Sequence, residues 1–440
     1  MNVWFDNSTK AGFEKNLINH YKEIGRWNHV VYEENDSKLM IIQYFEKQMK
    51  ELESVDYIIP EMYDNIYSHL FEFIDMYSRN SPINQCSYDI KNIHDYLNLF
   101  NLAVNYYYTR FTREKIDLYI ITRAPHIGID YIKCLVAQEL NIKTLILEQT
   151  LVPNRFYYYW NLNDYGIFDT SESLYPVDKV TIEPKFEMNL FYVQPSRKSI
   201  LEILKTSDFF RFIRKIARPG KSLASFYNLY LYNSFKKNRN RLIQKDVDFS
   251  KQYVYFALHL QPEKTTSSWG GIYNDQLLAL ERLSMIIPDD WYIYVKENPK
   301  QGLFMRGEWY YKRLSMIPKV VMVPLETNTY QLLSKCQFAS TISGTVGWEA
   351  IKGGKNVLVF GWGVWYKSFP GVFTYNPDLQ ASTITNNKID HALLEQKFAE
   401  QLSKTAKGVI YKWYDENVDG FNADENLKTL FSSFDLILGY

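Results

Sequence analysis

Three glutamates lie where predicted buried strands end, which is a position from which an acid can act on a ligand. Glu148 closes the run KTLILEQ, Glu263 follows a strand that ends near His259, and Glu297 ends the run WYIYVKE. A carboxylate at the carboxyl end of a parallel strand faces the ligand crevice, where it serves as base, nucleophile or hydroxyl acceptor. Each is also compatible with an acid of a surface loop. We favour a functional role for Glu263, leave Glu148 open and interpret Glu297 as a surface acid.

The neighbours of two of these acids strengthen the case for a binding site. The loop around Glu263 is rich in hydrogen-bonding groups, and a second strand end offers Lys296 with Asn298 and Pro299, a cation and an amide that suit a phosphate. The crowded loop contains Gln261, Pro262, Thr265, Thr266, Ser267, Ser268, Trp269 and two glycines. We therefore expect this edge of the sheet to bind an anionic ligand.

A turn of Ser343, Gly344 and Thr345 separates a predicted strand from a predicted helix. The run from Phe338 to Phe360 predicts strand, turn, helix, turn and strand, and such a turn aims free N–H groups and the helix dipole at one point. Glu349 follows one helical turn later, and since an acid repels phosphate, a ribose diol is its more sensible partner. The alternatives are an ordinary βαβ crossover and a solvent-facing glutamate.

Composition excludes several classes of protein. Fifty basic and fifty acidic residues cancel, which argues against a nucleic-acid binder. Three widely separated cysteines indicate a reducing compartment, and neither a signal peptide nor a membrane span is recognisable, so we expect a cytoplasmic protein. His126 and His259 lack partners at ligand spacing, so no metal site is predicted. Motifs of kinases, hydrolases and dehydrogenases are absent.

The pattern of elements predicts an α/β fold of two Rossmann-like domains that face a cleft, the GT-B type. With 440 residues, two domains are expected. We assign 1–196 to an N-terminal α/β domain on the acceptor side, 197–250 to a basic helical linker, 251–385 to a nucleotide-sugar-binding domain with five strands, and 386–440 to helices that cross back. The first domain contains a βαβ unit from Glu114 and long helices over 38–52 and 62–77.

The linker carries a local excess of positive charge. Residues 197–245 hold thirteen basic and two acidic residues, an excess of eleven. Phe209, Phe212, Ile213 and Ile216 fall at helical spacing beside basic residues, a layout typical of a helix on an anionic membrane surface. An ordinary interdomain helix with a solvated basic face has the same layout and is slightly favoured.

Taken in order, these motifs resemble those of bacterial capsular polysaccharide biosynthesis proteins of the Kdo-transferase type and, more distantly, bacterial sialyltransferases. The resemblance covers about residues 115–370 and rests on short motifs. They are Glu148 with Pro153, Gln261-Pro262-Glu263, Lys296 to Pro299, Ser343-Gly344-Thr345 with Glu349-Ala350, and Gly354 to Val357 with Gly361. It implies transfer of an acidic eight- or nine-carbon sugar from a CMP-activated donor.

The resemblance also implies roles for particular residues. In those families a His-Pro pair and a Ser or Thr turn hold the CMP phosphate, which places Asn298-Pro299, Ser343 and Thr345 there and Glu349 at the ribose. Asn298 departs from the pattern because an amide cannot carry the charge or proton of a histidine. A retaining reaction needs a carboxylate nucleophile and a second acid, and we assign Glu148 and Glu263 to this pair with their roles open; an inverting reaction needs one base.

We therefore expect a metal-independent glycosyltransferase of surface polysaccharide synthesis, without a cofactor. Its partners are a nucleotide-sugar donor and a glycan or glycolipid acceptor, with a peripheral contact to the inner membrane if the basic linker binds lipid. Two alternatives stay open. One is a GT-B enzyme that uses UDP- or GDP-sugars, because a phosphate turn does not name the base. The other is a non-catalytic scaffold of a polysaccharide assembly complex.

Overall fold

The computed structural model describes residues 1–7, 12–34, 57–78, 92–166, 173–187, 233–301, 306–412 and 420–440. The helix predicted over 38–52 lies outside these residues. So do Phe209, Phe212, Ile213 and Ile216 of the basic linker. The choice between a membrane-surface helix and an interdomain helix therefore stays a prediction.

The first domain contains a six-stranded sheet of order β12-β5-β4-β3-β1-β2. The four strands from β4 to β2 run parallel, β5 is antiparallel to β4, and β12 is antiparallel to β5. Short apolar runs buried on both faces, such as LYII, are typical of parallel strands. The strands are β1 (Asn2–Asn7), β2 (His29–Glu34), β3 (Leu118–Ile121), β4 (Lys143–Gln149), β5 (Arg155–Tyr159) and β12 (Ala406–Lys407).

Five helices of the described residues belong to this domain. The single helix predicted over 62–77 is wrong, because the chain turns at Ser68 and His69 and forms two helices. The Ser68 hydroxyl donates to the Asn65 carbonyl, the kind of local bond that competes with helix continuation. The helices are α1 (Glu14–Glu23), α2 (Pro60–Tyr67), α3 (Leu70–Ser78), α4 (Ile93–Arg113) and α5 (Ile129–Glu139).

The second domain contains an all-parallel sheet of order β11-β10-β9-β6-β7-β8. It has one strand more than the five predicted, an edge strand VFT whose side chains are partly exposed. The strands are β6 (Tyr253–Ala257), β7 (Tyr292–Lys296), β8 (Val320–Met322), β9 (Ala339–Thr341), β10 (Val357–Val359) and β11 (Val372–Thr374). Two parallel-rich sheets with helical crossovers confirm the predicted pair of Rossmann-like domains.

The helices of the second half begin mostly at polar capping residues, such as Asn328 and Asp390, whose side chains accept backbone N–H bonds. They are α6 (Lys264–Ser267), α7 (Gln276–Ile286), α8 (Glu308–Leu314), α9 (Thr329–Lys335), α10 (Val346–Lys352), α11 (Ala381–Asn386), α12 (His391–Ser403) and α13 (Ala423–Leu438). The predicted succession of strand, turn, helix, turn and strand in 338–360 is present as β9, α10 and β10.

The C-terminal segment returns to the first domain. After α12 the chain adds β12 to the first sheet, where Ala406 pairs with Phe156. Helix α13 then buries Leu430 and Phe434 in the same apolar cluster as Phe5, and Asp435 accepts a 2.8 Å hydrogen bond from the Tyr21 hydroxyl. The first domain is therefore completed by residues from both ends of the chain.

A charged cluster lies in the core of the first domain. The Lys133 ammonium of α5 lies 2.7 Å from an Asp6 oxygen and 2.6 Å from a Glu33 oxygen, and all three side chains are buried. Trp4 and Tyr107 donate to Glu33 as well. Burial lowers the pKa of Lys133, but the two carboxylates outweigh it and hold the pKa well above its ordinary value. Lys133 is thus the counter-charge for two buried acids.

Within the described part of the chain, no helix combines the length and the apolar character that crossing a membrane requires. Cys134 and Cys336 are buried free thiols.

Candidate functional site

His259 is the point at which the loop after β6 meets the turn after β9. Its Nε2 lies 2.7 Å from Thr341 Oγ1 and accepts from the Ser343 N–H at 3.4 Å, and its Nδ1 lies 3.4 Å from Thr265 Oγ1. The Ser343 hydroxyl donates to the Thr265 carbonyl at 2.6 Å. The structure therefore joins the predicted Ser343 turn directly to the loop that carries Glu263.

The imidazole of His259 is neutral at physiological pH. Burial, and secondly the charge of Arg306, lower the pKa of His259 from 6.5 to about 4. Because Ser343 donates to Nε2, that nitrogen carries no proton, so the Thr341 hydroxyl donates to it and Nδ1 holds the ring proton. His259 thus connects the two loops without adding a positive charge at this edge of the sheet.

Part of the predicted anion turn is engaged within the protein. The N–H of Ser343 points at His259, and the N–H of Gly344 donates to Thr341 Oγ1 at 3.2 Å. Among the described residues, the N–H of Thr345 has no acceptor, and its side chain makes no capping bond to α10. A phosphate at this turn would therefore be held from the Thr345 side, which leaves Ser343 and Gly344 to set the shape of the turn.

Gln261 is a structural hub rather than an open ligand donor. Its backbone N–H and carbonyl pair with the Gln301 amide at 2.8 and 2.9 Å. Its side-chain oxygen accepts from Gln276 at 3.0 Å and from Arg306 at 2.7 Å, and its amide nitrogen donates to the Asn274 carbonyl. Gln261 stays a predicted nucleotide contact, although all of its polar groups hold the loop in place.

The fully buried Arg306 is a residue that sequence reasoning missed. Its guanidinium donates to Gln261 and to the His259 carbonyl, and it lies 3.4 Å from Glu297 and 4.2 Å from the Tyr310 ring. The interpretation of Glu297 as a surface acid is wrong, because its carboxylate is buried beside this arginine. No motif marked Arg306; the only available signal was an arginine shortly after a polar strand end.

The side chains at the end of β7 point in other directions than expected. Lys296 donates to the Thr327 carbonyl at 2.6 Å and to Thr329 Oγ1 at 2.9 Å, so its ammonium faces the loop after β8. Asn298 accepts the Lys300 N–H at 2.9 Å and is half-buried, while Pro299 is exposed. The Lys296 ammonium therefore does not lie beside Asn298, where it could replace the charge of the missing histidine.

Glu349 faces the protein interior and not solvent. The side chain is only 7% exposed, which removes the alternative of a solvent-facing glutamate. Burial, partly offset by Lys352, raises the pKa of Glu349 to about 7. No hydrogen bond of its carboxylate is found among the described residues. A buried acid with an unused carboxylate suits a ligand hydroxyl group.

The two acids predicted to be catalytic differ in their surroundings. Glu148 is buried in β4, with one oxygen accepting the Ala124 N–H at 2.9 Å and the other the Tyr411 hydroxyl at 3.0 Å. Glu263 is half-buried, and the part of the chain that the structure describes offers its carboxylate no hydrogen bond or ion pair. Its backbone carbonyl instead starts α6 by accepting from Thr266 and Ser267. Glu148 is held in one orientation, whereas Glu263 is available.

The two domains meet next to these acids. Tyr165 of the first domain stacks on Trp269 of the second with ring centroids 3.9 Å apart. A side chain at Gly166 of the first domain, which has φ +89°, would overlap the Val364 carbonyl of the second. The domains are thus packed closely at the loop that follows Glu263. Tyr165 connects this loop to Glu148, because it stacks on Trp269 and is close enough to Glu148 for that charge to affect it. Burial is the main reason that the pKa of Tyr165 is raised, and the Glu148 charge adds to the effect.

Within the described residues, no group of three or more His, Cys, Asp or Glu side chains is arranged to hold a metal ion. His126 is instead an ion-pair partner of Asp130, with 3.3 Å between Nδ1 and the carboxylate. Burial raises the pKa of Asp130, but the bonds and charge of His126 and the charge of Arg123 outweigh it, and the pKa is lowered.

The fold and the loop cluster define a two-domain α/β protein with its polar site at the carboxyl ends of the second sheet. Residues 214–414 match the model of a protein family described as capsule polysaccharide biosynthesis protein. The match spans a little under half of the chain and includes Gln261, Glu263, Ser343 and Glu349. It confirms the resemblance that the motifs indicate. No curated protein matches the chain.

Several solved structures align with this chain. Thermosulfurimonas dismutans KpsC, a beta Kdo 2,7 transferase, is 9% identical with a TM-score of 0.36 and 100% coverage of both chains. A second KpsC structure of that organism, a beta Kdo 2,4 transferase, is 14% identical with a TM-score of 0.29 over 66% of this chain and 78% of the other. UDP-GlcNAc 2-epimerase from Methanocaldococcus jannaschii is 13% identical, with a TM-score of 0.26 over 90% and 98%.

Proposed function

We propose that this chain is a glycosyltransferase of surface polysaccharide synthesis that transfers an acidic ulosonic sugar from a CMP-activated donor to a glycan acceptor. The nucleotide lies over the loops after β6 and β9, with its phosphate at the Ser343-Gly344-Thr345 turn and its ribose at Glu349. Glu263 acts on the sugar, and the oriented Glu148 of the first domain lies across the cleft. Gln261, Lys296, Asn298 and Pro299 shape the nucleotide side.

One observation carries this proposal. The bonds from His259 and Thr265 to the Ser343 turn gather at one sheet edge two motifs that are eighty residues apart in the chain. In open parallel sheets, that edge is where ligands bind. The family match over 214–414 supports a role in the synthesis of a capsule polysaccharide. The acidic character of the sugar and the cytidine base rest on the motif resemblance.

Thermal unfolding with nucleotides tests the donor class. A ligand at a hundred times its dissociation constant stabilises the folded state by about 2.7 kcal/mol, a shift of several degrees. We expect CMP to raise the unfolding temperature and UDP and GDP to leave it unchanged. We also expect the protein to release CMP from CMP-linked acidic sugars in the presence of EDTA. Stabilisation by UDP alone would select the UDP-sugar alternative. If no cytidine nucleotide changed the unfolding temperature, the proposal would be wrong.

The affinity for CMP should depend on pH through Glu349. A carboxylate accepts both hydroxyls of a ribose only when ionised, and the pKa of this group is about 7. CMP should therefore bind about fivefold more weakly at pH 6 than at pH 7 and level off above pH 8. Isothermal titration from pH 6 to 8 measures the slope.

The Glu349→Gln variant supplies the control. Its affinity for CMP should be lower at pH 8 and should keep only the shallower pH dependence of the CMP phosphate, whose second pKa is about 6. A wild-type slope that persists in Glu349→Gln would place the titrating group elsewhere. Exposed Glu308→Gln in α8 is the matched variant that should leave the slope unchanged.

A further inference from the structure

Polar side chains without hydrogen-bond partners meet where the first domain touches the loop after β6. Asp75 of α3 is only 2% exposed, and Ser267 of α6 is fully buried. Within the described residues, both oxygens of the Asp75 carboxylate and the Ser267 hydroxyl lack a hydrogen bond of ordinary geometry. Helices α3 and α6 contact each other across the domain boundary. Buried polar groups in native proteins almost always have partners, so such a cluster calls for an explanation.

The electrostatics of Asp75 agree with a carboxylate that lacks compensation within the protein. Burial is the main reason that the pKa of Asp75 is raised to about 6; the adjacent Ser267 hydroxyl and the Arg306 charge lower it, and Glu72 raises it. The Ser267 hydroxyl is near enough to influence the carboxyl but does not complete a hydrogen bond with it. At neutral pH the protein therefore holds an ionised acid for which its own groups provide too little compensation.

The position of the pair relates it to the proposed chemistry. Ser267 lies one helical turn after Glu263, whose carbonyl accepts the Ser267 N–H at 2.7 Å. A carboxylate beside a hydroxyl offers two acceptors and one donor, a set that matches a sugar hydroxyl and not an anion. The pair comes from two domains, and interfaces between domains of one chain commonly open and close. Ligand access therefore requires only that α3 separates from α6.

We propose that Asp75 and Ser267 together bind a hydroxyl group of the donor sugar, across the domain junction from each other. The proposal rests on the proposed function for the identity of the sugar and adds a residue of the first domain to the donor site. It assigns Asp75 a role in binding and specificity that no motif of the chain indicates.

Two variants and two readouts test the site. In the ligand-free protein, Asp75→Asn should raise the unfolding temperature by roughly 2–6 °C at pH 8 and by about half as much at pH 5, because the folded pKa of Asp75 is raised and its ionised form opposes folding. Ser267→Ala should still fold, since its hydroxyl makes no hydrogen bond of ordinary geometry, and it should lose only the support that this hydroxyl gives to ionised Asp75. A group that merely maintains the structure would lower the unfolding temperature when replaced.

The second readout is the extra stabilisation that CMP-Kdo or CMP-sialic acid gives beyond CMP. Both variants should lose most of this increment and keep the CMP shift, while the exposed control Asp64→Asn should keep both. An intact increment in Asp75→Asn and Ser267→Ala, or a lowered unfolding temperature of Asp75→Asn, overturns the site. If no cytidine nucleotide acts on the wild type, the proposed function fails. A raised unfolding temperature of Asp75→Asn would then still show that the buried carboxylate lacks compensation within the protein, which distinguishes the two failures.

Discussion

The Glu263→Gln variant should release CMP from its donor between about 10² and 10⁴ times more slowly than the wild type, because an amide can neither take a proton nor attack an anomeric carbon. The carboxylate is half-buried and makes no bond to the described residues, so its replacement should leave the fold intact. The backbone carbonyl that starts α6 is unchanged by the substitution. CMP release under single-turnover conditions measures the effect.

Controls separate this effect from a loss of binding. Glu263→Gln should retain the CMP-induced rise in unfolding temperature, and Glu308→Gln, on the exposed face of α8, should retain full activity. Activity that survives Glu263→Gln would remove this residue from the mechanism. A wild-type protein that is inactive with every nucleotide sugar would favour the scaffold alternative, in which the fold persists without chemistry.

The fold was largely predictable because hydrophobic periodicity and length identify buried parallel strands. The runs around β4, β6, β7 and β9 are short, apolar and bounded by turn residues. Strands β11 and β12 escaped prediction for a physical reason. VFT is a partly exposed edge, and the two residues of β12 become a strand only by pairing with Phe156 and Arg155, some 250 residues earlier.

The site was predictable only where local sequence determines it. The Ser343 turn and the Glu263 loop follow strands, so their shared edge could be inferred from parallel topology. The role of His259 could not, because it depends on Thr341 and Ser343, more than eighty residues away. Lys296 shows a second limit of prediction from sequence. Its position at a strand end was correct, but the direction of a long side chain is set by tertiary partners, here Thr327 and Thr329.

The Lys133→Met variant should lose about 3–5 kcal/mol of stability, because it leaves Asp6 and Glu33 as two buried carboxylates without a counter-charge. Burial and the Glu33 charge already raise the pKa of Asp6 against the opposing effect of Lys133. Without the ammonium, burial would hold the pKa of Asp6 further above its unfolded value, with no cation to oppose it. Stability would then fall as pH rises, so the deficit should be larger at pH 8 than at pH 5. Urea unfolding at both values measures it.

A neutral replacement of the whole cluster distinguishes uncompensated charge from lost packing. In Asp6→Asn/Glu33→Gln/Lys133→Met no charge is left in the core, and replacing a buried ion cluster completely is often close to neutral. We expect this triple variant to regain most of the stability that the single variant loses and to show little dependence on pH. The exposed Lys143→Met, at the start of β4, should unfold like the wild type. A triple variant as unstable as Lys133→Met would mean that the lysine stem fills the core between α5 and the sheet, and that packing outweighs its charge.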